Sequence, residues 1–241
     1  MRLSLVIPAY NEAARIGPTL EQARDYLRRQ DGGAEIIVVD DGSTDGTADV
    51  VRGFASGDGP PVRLHVLPEN RGKGAAVREG MLRQAAGDFR FFTDADGSTP
   101  VEEMEKCGAL FGGEADIVIG SRALPESRIE IHQAWHRERM GRMFNTLLRS
   151  VRLTRFRDTQ CGFKGFTADA AERCFSRQTL DGFSFDVEVL FIAGLQGLRV
   201  REVPVVWRNS PQSRVHACTD STRMFRDALR IRLNAGAGRY R

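Results

Sequence analysis

The sequence predicts an α/β fold, a mostly parallel sheet flanked by helices, and three observations carry that reading. Short apolar runs at about 2–7, 34–39, 62–67, 88–93 and 115–120 alternate with helical patterns at about 13–29, 45–56, 73–86 and 101–112. Such alternation marks parallel strands joined by crossover helices. The segment Ile36-Ile37-Val38-Val39 is apolar at every position, as a strand buried on both faces must be. Three of the runs end in polar clusters, the place where ligands gather in open α/β sheets.

The elements can be justified in order. Leu3-Ser4-Leu5-Val6-Ile7 is closed by Pro8 and followed by Tyr10-Asn11-Glu12. The second run ends in Asp40-Asp41-Gly42-Ser43, after which Thr44 or Asp45 can cap a helix. Ser56-Gly57-Asp58-Gly59-Pro60-Pro61 reads as an exposed loop within one unit. Asn70-Arg71-Gly72-Lys73-Gly74 opens the third helix with flexible, cationic backbone, but it lacks Walker A spacing and its Ser/Thr, which excludes a P-loop ATPase. The run Phe89 to Phe92 leads into Asp94-Ala95-Asp96 and then Gly97. Two carboxylates one residue apart at a strand end can offer oxygens to one hard divalent cation that also takes phosphate ligands. A metal-bound diphosphate is therefore the expected substrate, and residues 1–121 read as one nucleotide-binding unit.

The second half differs in character. From Arg122 to Arg157 there are nine arginines against Glu126, Glu130 and Glu138, so something anionic is expected to dock on residues 122–210. Between Trp135 and Val151, Met140, Met143, Phe144, Leu147, Leu148 and Val151 share a helical face opposite Arg139, Arg142 and Arg149. In the C-terminal segment 211–241, Met224, Phe225, Ala228, Leu229 and Ile231 lie on one arc and Arg223, Arg226 and Arg230 on another. Basic amphipathic helices of this kind either pack on a core or lie at a membrane surface.

Composition narrows the classes further. At 241 residues, 41% hydrophobic and 28% charged, the chain can bury a full core. A net charge of +3, without aromatics interleaved among lysines, gives no basis for nucleic-acid binding. Cys107, Cys161, Cys174 and Cys218 have no paired metal-ligand spacing; they are expected to be reduced, in a cytoplasmic protein. No run approaches the roughly 20 apolar residues needed to span a bilayer. His65 reads as a packed strand histidine, and Glu188 as the partner of an arginine on its helix.

Four motifs in this order, Val6-Ile7-Pro8-Ala9-Tyr10-Asn11-Glu12, Val39-Asp40-Asp41-Gly42-Ser43-Thr44-Asp45, Asn70-Arg71-Gly72-Lys73-Gly74 and Asp94-Ala95-Asp96-Gly97, resemble the family 2 glycosyltransferases of GT-A fold. Gly120-Ser121-Arg122, Asp158-Thr159-Gln160-Cys161-Gly162-Phe163-Lys164 and Phe185-Asp186-Val187-Glu188 are similar to the dolichyl-phosphate β-glucosyltransferase and polyprenyl-phosphate sugar synthase branch. The resemblance spans about residues 2–210. It divides that domain into a nucleotide-sugar-binding half, 1–121, and an acceptor-binding half, 122–210.

The resemblance implies metal-dependent, inverting transfer of a hexose, first of all glucose, from a nucleotide sugar to a polyprenyl or dolichyl phosphate. It places Pro8, Tyr10, Glu12, Asp40, Asp41, Lys73 and Ala95 around the donor and assigns Mg²⁺ or Mn²⁺ to Asp94 and Asp96. Arg122 and Arg137 become candidates for the acceptor phosphate, with Arg139 as an additional one. Asp158 becomes a catalytic or donor-contact candidate, and Asp186 matches the region of the general base in relatives that glycosylate hydroxyls. UDP-glucose is the expected donor and GDP-mannose the alternative; a hydroxyl acceptor in surface polysaccharide synthesis is the alternative acceptor. Relatives of this branch carry membrane spans. None is present in this sequence, so contact is expected to be peripheral, at the cytoplasmic membrane face. A nucleotidyltransferase would place a glycine-rich basic loop after the first strand, where this chain has Pro8-Ala9-Tyr10-Asn11-Glu12.

Overall fold

The computed structural model describes residues 2–210 and 217–241, except for the side chains of 136, 137 and 217–222. Strands β1 (Leu3–Ala9), β2 (Ala34–Asp40), β3 (Val62–Val66), β4 (Phe89–Thr93), β5 (Ile117–Ser121), β7 (Phe163–Thr167) and β8 (Val200–Pro204) form one sheet in the order β3-β2-β1-β4-β7-β5-β8. All its pairings are parallel except those of β7, which runs antiparallel between β4 and β5. A second, two-stranded parallel sheet joins β6 (Arg128–Ile131) to β9 (Val206–Arg208).

Alternate side chains of the central strands feed two apolar cores, which explains their uninterrupted hydrophobic sequences. Leu5, Ile7, Ile36, Val38 and Phe91 pack beneath α1 (Ile16–Arg28), α2 (Thr47–Arg52) and α4 (Met104–Phe111). Val6, Ile37, Val39 and Phe92 face the other way, toward α3 (Lys73–Glu79), α6 (Ala168–Phe175) and α7 (Phe185–Leu195). The helix expected over 73–86 ends early. Its continuation, Gly80–Gln84, is a π-helical turn that begins where Gly80 presses against Val6 and Val39. Asp45, rather than Thr44, accepts from the first turn of α2, through Thr47 N at 2.9 Å.

The two basic helices divide their apolar residues. In α5 (Trp135–Ser150), Leu148 is buried and Phe144 packs partly against the core, whereas Trp135, Met143 and Leu147, with Val151 just beyond, are exposed. In α8 (Ala217–Gly236), Ala228 and Ile231 join the core while Phe225, Leu229 and Leu233 face outward. Each helix thus has an inner contact and a separate outer stripe, where the sequence pattern suggested one apolar face. The Arg232 guanidinium donates to Val151 O, bringing α8 to the end of α5. Among the described residues no helix is long and apolar enough to cross a membrane.

The C-terminal segment is tied to the core by polar contacts as well. Glu188, fully buried on α7, takes no arginine: it accepts from Thr179 N at 2.9 Å, Thr179 Oγ1 at 2.6 Å, Leu180 N at 2.8 Å and the Tyr240 hydroxyl at 2.6 Å. A buried carboxylate needs donors on every side, and here a loop and the chain terminus supply them. His65 lies on the edge strand β3 and is partly exposed, 3.5 Å from Glu79, because an edge strand has no neighbour to cover it.

Candidate active site

Strands β2, β1 and β4 are adjacent and parallel, so their carboxyl ends open at one edge of the sheet. The chain order reverses between β1 and β4, which makes this the topological switch point of the sheet. Tyr10 to Glu12, Asp40 to Ser43 and Asp94 to Asp96 leave the sheet at that edge. The structure brings these sequence motifs together.

Backbone donors and short polar side chains lock the loops to one another. Asn11, at φ +52°, accepts from Thr44 N at 2.7 Å and donates its own N–H to Ser43 Oγ at 2.8 Å; asparagine tolerates this left-handed conformation. Asp40 caps its own turn through Ser43 N, at 2.9 Å. Asp41 accepts from Arg71 N at 2.9 Å and Gly72 N at 2.7 Å. Both Asp41 oxygens therefore fix the 70–74 loop, an engagement that its expected place against a base did not anticipate. Burial raises the Asp41 pKa despite these two donors. Gly42 lies at φ +70°, where a Cβ would stand 2.7 Å from the Glu69 carbonyl carbon, so this crossing of loops requires glycine.

The carboxylates of Asp94 and Asp96 each face a cation. Lys73, the first residue of α3, places Nζ 2.5 Å from Asp94 Oδ1. Burial opposes the Lys73 charge, but Asp94, Asp186 and Asp96 outweigh it and raise its pKa. Arg15 Nη1 lies 3.8 Å from Asp96 Oδ2 and also donates to Ser210 Oγ at 2.9 Å. The same guanidinium grips Glu12 twice, at 2.7 and 2.5 Å. Asp96 Oδ1 accepts Ser98 N at 3.0 Å, which orients the carboxylate. Ala95 is buried, and its carbonyl accepts from Thr19 Oγ1 at 2.9 Å.

Behind Asp94 lies a chain of buried charge. Lys164, on β7 and wholly inaccessible, donates to Asp186 Oδ1 at 2.5 Å and to Cys161 O at 2.7 Å. Asp186, in the first turn of α7, is 4% exposed. Burial raises its pKa, an effect that Asp94 reinforces and that Lys164 and Lys73 only partly offset. Gly162 abuts Asp94 so closely that a Cβ there would overlap the carboxylate. Arg15, Gly162 and Lys164 acquired no role from the sequence. For Lys164 the available signal was a lysine among aromatic neighbours, which if buried must find a partner.

Where the chain leaves β5, a cavity of about 360 Å³ is lined by Arg122, His132, Arg142, Arg157, Gln160 and Trp207, among others. Arg122 binds Asp158 in a fork: Nε to Oδ2 at 2.7 Å and Nη2 to Oδ1 at 3.0 Å, with Arg122 N on Oδ2 at 3.0 Å. Its guanidinium also sits over the Trp207 ring, 5.4 Å from the centroid. Burial alone would raise the Asp158 pKa, but Arg122 and its hydrogen bonds bring it down to about 2. The Arg137 side chain lies outside the described residues. Arg139 stacks on exposed Trp135 at 5.8 Å.

The residues at the switch point fit a divalent cation. Asp94 and Asp96 are hard oxygen donors from one turn, and the Asp94 carboxylate occupies a cradle that any side chain at position 162 would fill. A magnesium-like ion commonly takes one or two carboxylates and completes its shell with substrate phosphates and water.

Comparison with known proteins agrees with this architecture. The family model described as glycosyl transferase family 2 matches residues 4–175. A dolichyl-phosphate beta-glucosyltransferase of Trichomonas vaginalis is 37% identical, over 98% of this chain and 72% of that protein. The Homo sapiens dolichyl-phosphate beta-glucosyltransferase is 34% identical, over 100% of this chain and 78% of its own length. Among solved structures, glucosyl-3-phosphoglycerate synthase from Mycobacterium tuberculosis, in complex with Mn²⁺, uridine diphosphate and phosphoglyceric acid, superimposes with a TM-score of 0.68 at 21% identity, covering 99% of this chain and 78% of that one. That likeness is one of fold, the GT-A arrangement of a mostly parallel sheet between helices. With the family model spanning most of its length, the chain belongs to glycosyl transferase family 2.

Proposed function

We propose that this protein transfers glucose, with inversion, from UDP-glucose to a polyprenyl or dolichyl phosphate, using Mg²⁺ or Mn²⁺. The observation that carries the proposal is the convergence of three strand ends on Asp94 and Asp96, next to an arginine-lined cavity. Relatives at 37% and 34% identity, named dolichyl-phosphate beta-glucosyltransferases, support the choice of sugar and acceptor.

The donor nucleotide lies along the ends of β1 and β2, with Pro8, Tyr10 and Glu12 beside base and ribose. Asp40 and Asp41 act there by holding the loops in place. A divalent ion held by Asp94 and Asp96 supplies charge neutralisation to the leaving diphosphate. Lys73 and Arg15 add positive charge from the protein on the same side.

A phosphate monoester is already an oxyanion near neutral pH, so it requires orientation rather than proton removal. Arg122, Arg142 and Arg157 line the cavity where such a group fits, and the Arg122 fork with Asp158 leaves Nη1 outside the pair. Asp186 is buried beneath Lys164. That location suits it to positioning charge behind Asp94 and ill suits it to deprotonating an alcohol, which favours lipid phosphate over a hydroxyl acceptor.

The outer stripes of α5 and α8 give the lipid tail a place to go. Met143 on α5 and Leu233 on α8 are 71% and 73% exposed, and Arg226 and Arg230 stand beside the α8 stripe. Exposed apolar side chains flanked by arginines suit the headgroup region of an anionic membrane, so contact is peripheral, at the cytoplasmic face. Purified protein incubated with polyprenyl phosphate and a panel of nucleotide sugars tests the proposal. Transfer of glucose from UDP-glucose to the lipid phosphate is expected; transfer only to a hydroxyl acceptor overturns it.

A further inference from the structure

The Asp94 carboxylate already has a cation, and that cation is part of the protein. Lys73 Nζ stands 2.5 Å from Asp94 Oδ1, while a divalent ion on the same oxygen would stand at about 2.0–2.1 Å for magnesium. Two cations cannot share that oxygen face without strong repulsion. We infer that Lys73 is an internal counter-cation that competes with the divalent metal for Asp94, and that its displacement turns it onto the donor diphosphate. Metal and nucleotide binding are then coupled through this side chain in addition to any phosphate ligation of the ion.

The surroundings decide which partner moves. Asp94 is confined from behind by the α-carbon of Gly162. The backbone bearing Lys73 is also fixed: Asp41 holds Arg71 N and Gly72 N, and a Cβ at Gly72 would stand 2.5 Å from Asp181 O. Only the four-carbon stem of Lys73 is free to change rotamer. An ammonium expelled from Asp94 has Asp186 behind it, already occupied by Lys164 at 2.5 Å. The diphosphate is then the open anionic partner. Arg15, 3.8 Å from Asp96 while gripping Glu12, sits in a looser version of the same position on the second carboxylate.

The consequence is reciprocal. Without nucleotide, the metal must overcome a bound ammonium, so its affinity is low. With nucleotide, the ammonium has a new anion and the metal gains affinity, by the same factor that metal adds to nucleotide binding. Lys73→Met removes the competing charge and keeps most of the stem.

The inference rests on the metal reading of Asp94 and Asp96, and the test separates the two. Free Mn²⁺ is followed by electron paramagnetic resonance during titration of the full chain, with and without UDP, for wild type, Lys73→Met and Lys73→Arg. Lys73→Met is expected to bind Mn²⁺ alone about tenfold more tightly than wild type, a screened value for a partly exposed carboxylate, and so to show about tenfold less strengthening by UDP, keeping the share that phosphate ligation of the ion supplies. Lys73→Arg keeps the charge and is expected to remain weak. If wild type binds Mn²⁺ with UDP but Lys73→Met binds Mn²⁺ alone no better than wild type, the competition is refuted and the metal site stands. If wild type binds no Mn²⁺ even with UDP, the metal reading falls and the competition with it.

Discussion

Replacing Arg122 by alanine strands a nearly buried carboxylate at the cavity wall. Asp158 is 3% exposed and receives two side-chain donors from Arg122, with backbone N–H groups of Arg122 and Gln160 completing its shell. The two backbone donors survive the substitution; the compensating charge does not. Breaking a buried pair from one side costs about 3–5 kcal/mol, and the retained donors place the expectation near about 3 kcal/mol. For a domain of this size that lowers the midpoint of thermal unfolding by roughly 6–12 °C. The pH dependence is diagnostic. In wild type the Asp158 pKa is depressed to about 2, below the unfolded value of about 3.9. Its contribution is therefore fully present above about pH 4 and is lost as pH falls through about 2. In Arg122→Ala, burial without a cation raises the folded pKa above the unfolded one, so the variant loses stability as pH rises from about 4. The gap between the two proteins should widen from pH 3 to pH 6, measured by urea unfolding at each pH. Asp158→Asn added to Arg122→Ala should recover a large part of the loss at pH 7. A gap that does not change with pH, or a double variant as unstable as the single one, refutes the reasoning. The cycle also guards the acceptor assignment, because loss of transfer in Arg122→Ala can be attributed to lost phosphate binding only under conditions where the variant is folded.

Three further expectations follow from the same geometry. Asp96→Asn removes one anionic ligand at constant size; transfer should fall to background with the circular dichroism unchanged, EDTA should do the same to wild type, and full activity in metal-free buffer would contradict the metal role. Gly162→Ala places a methyl where the Asp94 carboxylate lies, so Mn²⁺ binding in the presence of UDP should weaken at least tenfold while Arg122-dependent stability is retained; unchanged binding would show that Asp94 does not need this cradle. Wild-type protein should sediment with anionic liposomes at low salt and be released at high salt, since surface attraction is screened beyond about 10 Å at 0.1 M, and Arg223→Glu, Arg226→Glu and Arg230→Glu together should reduce sedimentation; absence of sedimentation at every salt concentration would remove the membrane from the proposal.

The parts of the fold that were legible in the sequence are those whose signal is local. β1, β2 and β4 are short apolar runs ended by polar residues, and both features follow from strands buried on two faces that open at a ligand edge. β7 carried no such signal. Phe163–Thr167 holds a lysine and a glycine at its centre, a composition that argues against a buried strand. Both are explained only by partners distant in sequence: Lys164 by Asp186 on α7, and Gly165 by the Phe91 ring of β4, which leaves no room for a Cβ. The antiparallel insertion of β7 between β4 and β5 was invisible for the same reason. The carboxylates were legible as a group but not in their division of labour. Asp41 was expected beside a base and Glu188 beside an arginine on its helix; both also hold loop backbone, and the partners of Glu188 are backbone and hydroxyl donors. A sequence shows that an acid is present. It does not show which N–H groups a fold will leave without partners.

That division explains how a site built from distant segments can keep its geometry while handling charge. Backbone crossings are fixed where glycine lets two chains touch, Gly42 against Glu69 and Gly72 against Asp181, and Gly162 packs directly against the Asp94 carboxylate. Asp40, Asp41 and Asn11 add short hydrogen bonds from stems too brief to swing. Exchangeable charge is left to a long side chain, Lys73, while Arg15 is held by Glu12 and Ser210. Lys164 is another long cation, but it is wholly buried and held by Asp186 and the Cys161 carbonyl, so it cannot follow Lys73. Its fixed charge opposes the buried negative charge of Asp186, which would otherwise repel Asp94 and draw Lys73 inward. Substituting Lys164 by methionine should therefore act at a distance, pulling Lys73 toward Asp186 and exposing Asp94 to metal, whereas the same change at Lys73 acts on Asp94 directly. The two lysines lie on either side of one aspartate pair, and only the outer one can be exchanged for a metal ion.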